Sequence, residues 1–199
     1  MRIGVLASGR GTNLQAILDA CADGRLPATV ALVVSDREGA RALARAAAAG
    51  VATRVIPPAG FPDRAAHDAA VVEALRAAHA DTVVLAGYMR LVTPMLLRAF
   101  PNRVVNVHPA LLPAFPGLHA QRQALEYGVK VTGCTVHFVD EGVDTGPIIL
   151  QAPVPVADDD DEARLAARIL VEEHRTLVEA LRLLAEGRLA VDGRRVRIR

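Results

Sequence analysis

Two apolar runs in the middle of the chain, DTVVLAG (81–87) and RVVNVH (103–108), are too continuous to alternate between a wet and a dry face. Strands of that kind are buried on both sides, as in a parallel sheet covered above and below by helices. The first half of the chain agrees. IGVLA (3–7), TVALVVSD (29–36) and the short TRVIP read as strands. TNLQAILDACADG (12–24), GARALARAAAAG (39–50) and PDRAAHDAAVVEALRAAHA (62–80) read as helices, with Gly24 and Gly50 as stops and Pro62 near a start. Short strands separated by helices imply right-handed βαβ units and a doubly wound, mostly parallel α/β sheet of Rossmann-like type.

Beyond residue 128 the pattern changes. KVTGCTVHFV (130–139) and PIILQAPVPV (147–156) are two strands with a short loop between them, which predicts an antiparallel C-terminal extension. DDDDEARLAARILVEEHRTLVEALRLLAEG (158–187) predicts a long amphipathic helix with Leu165, Ile169, Leu177, Leu181 and Leu184 on its buried side. Its leading aspartates suit a helix N-terminus. LAVDGRRVRIR predicts a hairpin turning at Asp192-Gly193, with its arginines in solvent. No repeat, linker or domain boundary is visible, so 1–199 reads as a single domain.

Composition narrows the function. Apolar residues make up 52% of 199 positions, enough for a sizeable core. A net charge of +1 gives no footprint for nucleic acid or a membrane surface, and 3% aromatics without Trp give no base-stacking platform. Cys21 and Cys134 form no CxxC, which suits a reducing compartment, and His108, His119 and His137 have no metal-ligand spacing. Met1 runs straight into a strand without a leader pattern, and no apolar run approaches the roughly 20 residues of a membrane span. These features predict a cytoplasmic location, no metal and small-molecule partners.

Four stretches carry chemistry. In ASGRGTN (7–13), between the first strand and the first helix, position 14 is Leu where a dinucleotide fingerprint needs Gly, and Arg10-Gly11 replaces the Lys-Ser/Thr of a P-loop. Two glycines before a helix start at Thr12-Asn13 point to a monophosphate site on free backbone N–H groups; the alternative is a plain cap by Thr12 or Asn13. GYMRLVTP (87–94) follows a strand end, where open α/β sheets bind ligands, and offers Met89, Leu91 and Val92 as an apolar slot. In VVNVHPALLPAFPG (104–117), Asn106 and His108 share one strand face, both can donate to an oxygen, and Pro109, Pro113 and Pro116 stiffen the exit. That arrangement suits an oxyanion site. GCTVHFVDEGVDTGPIILQ (133–151) crowds Asp140, Glu141 and Asp144 into a loop that Gly142 and Gly146 allow to turn tightly or left-handed. One of these carboxylates is expected to reach His108 and raise its pKa.

Taken in order and with their spacing, these stretches resemble the glycinamide ribonucleotide formyltransferase family of folate-dependent enzymes. The likeness covers nearly the whole chain. It implies a single formyltransferase domain, with a ribonucleotide phosphate-binding half over about 1–100 and a folate-binding and catalytic half over about 101–199. It implies Asn106, His108 and Asp144 as the catalytic trio, and Gly11, Thr12 and Asn13 as the phosphate loop. Glu173 corresponds to the position that contacts the glycinamide substrate. Arg64, Met89, Arg90, Leu91, Val92 and Asn106, with Asp140, Glu141 and Val143, correspond to the folate contacts. The donor implied is 10-formyltetrahydrofolate. Thr12 stands where the family usually has Ser, Ala110 stands in HPALLP where Ser is usual, Thr176-Leu177 replaces a usual Tyr-Pro, and the tail ends early.

Two related activities would share the trio. A hydrolase of 10-formyltetrahydrofolate resembles a longer chain with an N-terminal regulatory domain. A methionyl-tRNA formyltransferase carries a further C-terminal domain and a basic RNA surface. The sequence leaves open a non-catalytic nucleotide-binding module, oligomeric state (a homodimer included) and the Leu112-Pro113 isomer.

Overall fold

The computed structural model describes residues 1–199, which divide into two compact units, Met1–Asn106 and Val107–Arg199. In the first unit, β1 (Arg2–Leu6), β2 (Thr29–Ser35), β3 (Thr53–Val55), β4 (Thr82–Leu85) and the start of β5 (Val104–His108) pair in the order β3-β2-β1-β4-β5, all parallel. The chain winds outward from β1 in one direction through β2 and in the other through β4. The loops after β1 and β4 are therefore neighbours at a topological switch point, where such sheets take ligands.

Helices α1 (Thr12–Ala22), α2 (Arg41–Ala48), α3 (Arg64–Ala77) and α4 (Pro94–Ala99) connect these strands. Asp63 caps α3, its carboxylate accepting from Ala66 N–H at 2.8 Å. α2 and α3 are shorter at both ends than the periodicity predicts, because Ala40 and Asp63 are extended N-caps and Ala49 and Ala78 close the last turns on backbone carbonyls. A 3-10 turn at Pro58–Gly60 and the six-residue α4 escape the pattern altogether. Neither is long enough to show a helical period.

In the second unit β6 (Val131–Phe138) and β7 (Ile148–Pro155) pair antiparallel, as expected. α5 (Ala120–Tyr127) was not legible, since its buried side is only Ala120 and Ala124. α6 (Glu162–Ala185) lays Leu165, Ile169, Leu177 and Leu181 fully inside, each contributing about 2 kcal/mol. Leu165 and Ile169 join Cys134, Ala152 and Val154 in one core cluster. The aspartates at 158–160 precede the helix instead of opening it; Asp161 is the cap, accepting from Arg164 N–H at 2.7 Å. β8 (Leu189–Asp192) and β9 (Arg195–Ile198) form the predicted hairpin, and β9 pairs with β7. No helix is long and apolar enough to cross a membrane.

Candidate active site

The loop after β1 is shaped by Gly11. Its φ is 71°, and a Cβ there would lie 2.6 Å from Ala42 Cα on α2. Only glycine meets both conditions. The loop is braced from α2: Ala42 N–H donates to Gly9 O at 3.1 Å, and Arg45 Nε donates to Arg10 O at 2.9 Å. Gly11 itself is the N-cap of α1, and no side chain caps that helix. The plain-cap alternative with Thr12 or Asn13 is thus not what the chain adopts. Thr12 is half-buried and Asn13 buried in the first turn.

The loop after β4 presents Met89 and Leu91 to solvent at 59% and 55% exposure, with Arg90 and Val92 half-buried behind them. Arg64 opens α3 and is exposed. On β5, Asn106 is half-buried and His108 is 4% exposed; two residues apart, they face the same side of the strand.

The second unit assembles around Asp144. Its Oδ2 lies 3.3 Å from His108 Nδ1 and accepts from Gly117 N–H at 2.8 Å, while its Oδ1 lies 3.7 Å from His137 Nε2. Of the three candidate carboxylates, Asp144 is the one at His108. Asp140 instead folds the loop, accepting from Gly142 N–H at 3.1 Å and Thr145 Oγ1 at 2.6 Å. Glu141 and Val143 are exposed. The left-handed residue is Asp144 itself, with φ 54°, and not Gly142 or Gly146. Those glycines are required for space, since a Cβ would strike the Thr145 side chain or the Phe138 carbonyl. An aspartate held left-handed costs about 1 kcal/mol, a strain typical of residues aimed for function.

His108 Nε2 donates to Phe115 O at 2.8 Å. Both ring nitrogens therefore face acceptors, an arrangement that only the doubly protonated ring satisfies in full. Burial opposes that cation; the Asp144 carboxylate and the Phe115 carbonyl favour it. Burial prevails, so the His108 pKa is lowered, not raised as the sequence suggested. Burial alone would push Asp144 up, but the donors from His137 and Gly117 and the nearby His108 hold its carboxyl below the usual range. Asp144 thus stays ionised beside a ring that holds its second proton less tightly than a free imidazole does.

The loop after β5 is pinned as well as stiff. Thr135 Oγ1 donates to Ala110 O at 2.7 Å and accepts from Leu112 N–H at 3.0 Å and from Gln151 Nε2 at 2.9 Å; Gln151 Nε2 also donates to Leu112 O at 2.9 Å. The Leu112-Pro113 peptide is cis. Glu173 is buried on α6 at 8% exposure. No group of three or more His, Cys, Asp or Glu side chains is placed to share a metal ion. The sequence reading missed His137 as a second partner of Asp144 and missed Thr135 and Gln151 entirely. His137 alternates with Thr135 on β6, a spacing that puts them on one face and was the available signal.

Comparison with known proteins gives a consistent picture. The formyl transferase family model matches residues 1–181. The phosphoribosylglycinamide formyltransferase of Mycobacterium tuberculosis is 51% identical over 99% of this chain and 94% of its own. The crystal structure of glycinamide ribonucleotide transformylase 1 from Symbiobacterium toebii superposes with a TM-score of 0.99 at 64% identity, covering 100% of this chain and 93% of that one. The trifunctional purine biosynthetic protein adenosine-3 of Drosophila melanogaster is 49% identical over 94% of this chain, which spans only 14% of that protein's length.

Proposed function

The chain belongs to the formyl transferase family, and from that premise we propose that it transfers the formyl group of 10-formyltetrahydrofolate to the amine of glycinamide ribonucleotide. The products are formylglycinamide ribonucleotide and tetrahydrofolate, a step of purine biosynthesis. The observation that carries the reading is the Asp144 carboxylate 3.3 Å from the buried His108, a residue of the strand that also carries Asn106.

The donor, when bound, supplies an activated formyl carbon whose attack by an amine places negative charge on the formyl oxygen. The exposed Met89 and Leu91 suit a flat apolar ring system, and the family likeness assigns Val143, at 44% exposure, to the same donor. Arg64, Arg90, Asp140 and Glu141 supply the polar contacts around it. Gly11, Thr12 and Asn13 take the ribonucleotide phosphate on an uncapped helix start, and Glu173 contacts the glycinamide portion. Asn106 donates its amide N–H to the charged oxygen. His108 donates Nε2–H to the same oxygen, giving up the Phe115 carbonyl. Asp144 orients the ring and stabilises its imidazolium form, which carries Nδ1–H toward the carboxylate and Nε2–H toward that oxygen. As the tetrahedral adduct collapses, the bond from the formyl carbon to the folate nitrogen breaks and that nitrogen takes up the proton lost by the attacking amine. Each donor of this kind is worth about 3 kcal/mol. Thr135 and Gln151 keep the loop beyond His108 from rearranging, so the donors are preorganised.

The two units act as one formyltransferase domain in this reading, with the phosphate loop on the first and His108 and Asp144 on the second. The protein works in the cytoplasm on two small molecules; a homodimer is compatible with it. A steady-state assay tests the assignment: tetrahydrofolate must form only when donor and glycinamide ribonucleotide are both present.

A further inference from the structure

The loop that carries Met89–Val92 is held at its two ends by buried side chains that the reaction does not use. At its start, Ser8 N–H donates to Gly87 O at 3.1 Å and Ser8 Oγ accepts from Met89 N–H at 3.0 Å. At its end, Asp68 Oδ2 accepts from Thr93 N–H at 2.6 Å. Ser8 is 5% exposed and Asp68 3%. Asp68 is itself held, because its Oδ1 lies 3.5 Å from Nδ1 of His67, whose Nε2 donates to Ile56 O at 2.9 Å. The Phe61 ring meets His67 edge-on at 5.3 Å. A buried carboxylate and a buried hydroxyl, each taking a backbone N–H, cannot be lost without stranding that N–H. Only Arg90, Leu91 and Val92 lie between the two anchored amides.

We infer that Ser8 and Asp68 are positioning residues for the formyl donor: they fix both ends of the Met89–Val92 loop so that its exposed apolar side chains form a preset surface. The inference rests on the reaction proposed above. Ser8 belongs to the loop after β1 and Asp68 to α3, so two segments distant in sequence set the geometry of a third. A preset loop loses little freedom on binding, and the advantage appears in donor affinity more than in turnover at saturation.

Ser8→Ala and Asp68→Ala, each in the full chain, test this with two readouts. Amide hydrogen exchange, measured without substrate, should quicken about ten-fold at Met89 in Ser8→Ala and at Thr93 in Asp68→Ala, with the β1 amides unchanged. The donor KM should rise about five-fold in each variant, while kcat and the ribonucleotide KM move by less than about two-fold. Unchanged exchange at both amides overturns the anchoring, and an unchanged donor KM beside faster exchange overturns the positioning role. Equal rises in both KM values mean general loosening and also overturn it. A wild-type chain without ribonucleotide-dependent transfer sinks the proposed reaction instead, and the exchange measurement still decides the anchors. Should one variant fail to fold, the other carries the same test at its own end of the loop.

Discussion

Asp144 holds two histidines with one carboxylate: Oδ2 is 3.3 Å from His108 Nδ1, and Oδ1 is 3.7 Å from His137 Nε2. The Gly117 N–H at 2.8 Å completes the set and joins Asp144 to the end of the proline-rich loop. Charge, ring orientation and loop position are therefore settled by a single residue, itself held in a left-handed conformation.

Replacing Asp144 with Asn removes the charge that favours the His108 cation. The His108 pKa, already lowered by burial, then falls further. Histidine NMR titration should show the His108 signal moving to lower pH, and turnover should drop about 100-fold. An unmoved titration would contradict the coupling.

In the proposed reaction, Asn106→Ala removes one donor to the developing oxyanion. kcat should fall about 100-fold or more, with smaller changes in either KM. A fall confined to KM would make Asn106 a binding residue only.

Stability should decline on acidification. His108 and Asp144 both titrate below their usual ranges in the folded chain, and burial lowers His174 as well. The unfolded chain therefore binds more protons as the pH falls, and the folded state loses ground. Above about pH 6.5 the histidine contribution is fully present; it is lost as the pH falls through the lower folded values, and the Asp144 contribution follows below about pH 4. Melting temperature against pH checks this: His108→Gln should shrink the first decline and Asp144→Asn the second.

Thr135→Val keeps the shape of a fully buried side chain but strands Leu112 N–H and leaves Ala110 O without its donor. The expected cost is about 3 kcal/mol, read from the urea midpoint at unchanged m-value.

Gly11→Ala puts a Cβ against α2 at a φ of 71°. The expected cost is about 2 kcal/mol or more, with a raised KM for the ribonucleotide. A fully stable variant with unchanged KM would contradict the account of that loop.

The parallel strands were legible because their apolar runs are continuous, and α6 because its leucines keep a helical period. α4 and α5 were not, since six residues after a proline and a buried side of two alanines carry little periodic signal. At the site, the residues alone left Asp140, Glu141 and Asp144 open and the family likeness singled out Asp144, while Asn106 and His108 could be picked out as residue types at a strand end. The direction of the His108 shift could not, because burial is a property of the folded chain and outweighs the carboxylate that the sequence does display. Ser8, Asp68 and Thr135 stayed hidden for a related reason. Their partners are backbone groups 81, 25 and 23 residues away, beyond the reach of any local pattern.

The central claim is tested most directly by following a carbon-13 label in the formyl group of 10-formyltetrahydrofolate by NMR. With glycinamide ribonucleotide present, the label should move into the formamide of the product, and without it the donor should stay intact. Labelled formate appearing in the absence of the ribonucleotide, with no formamide in its presence, would contradict formyl transfer and make the chain a hydrolase of the donor.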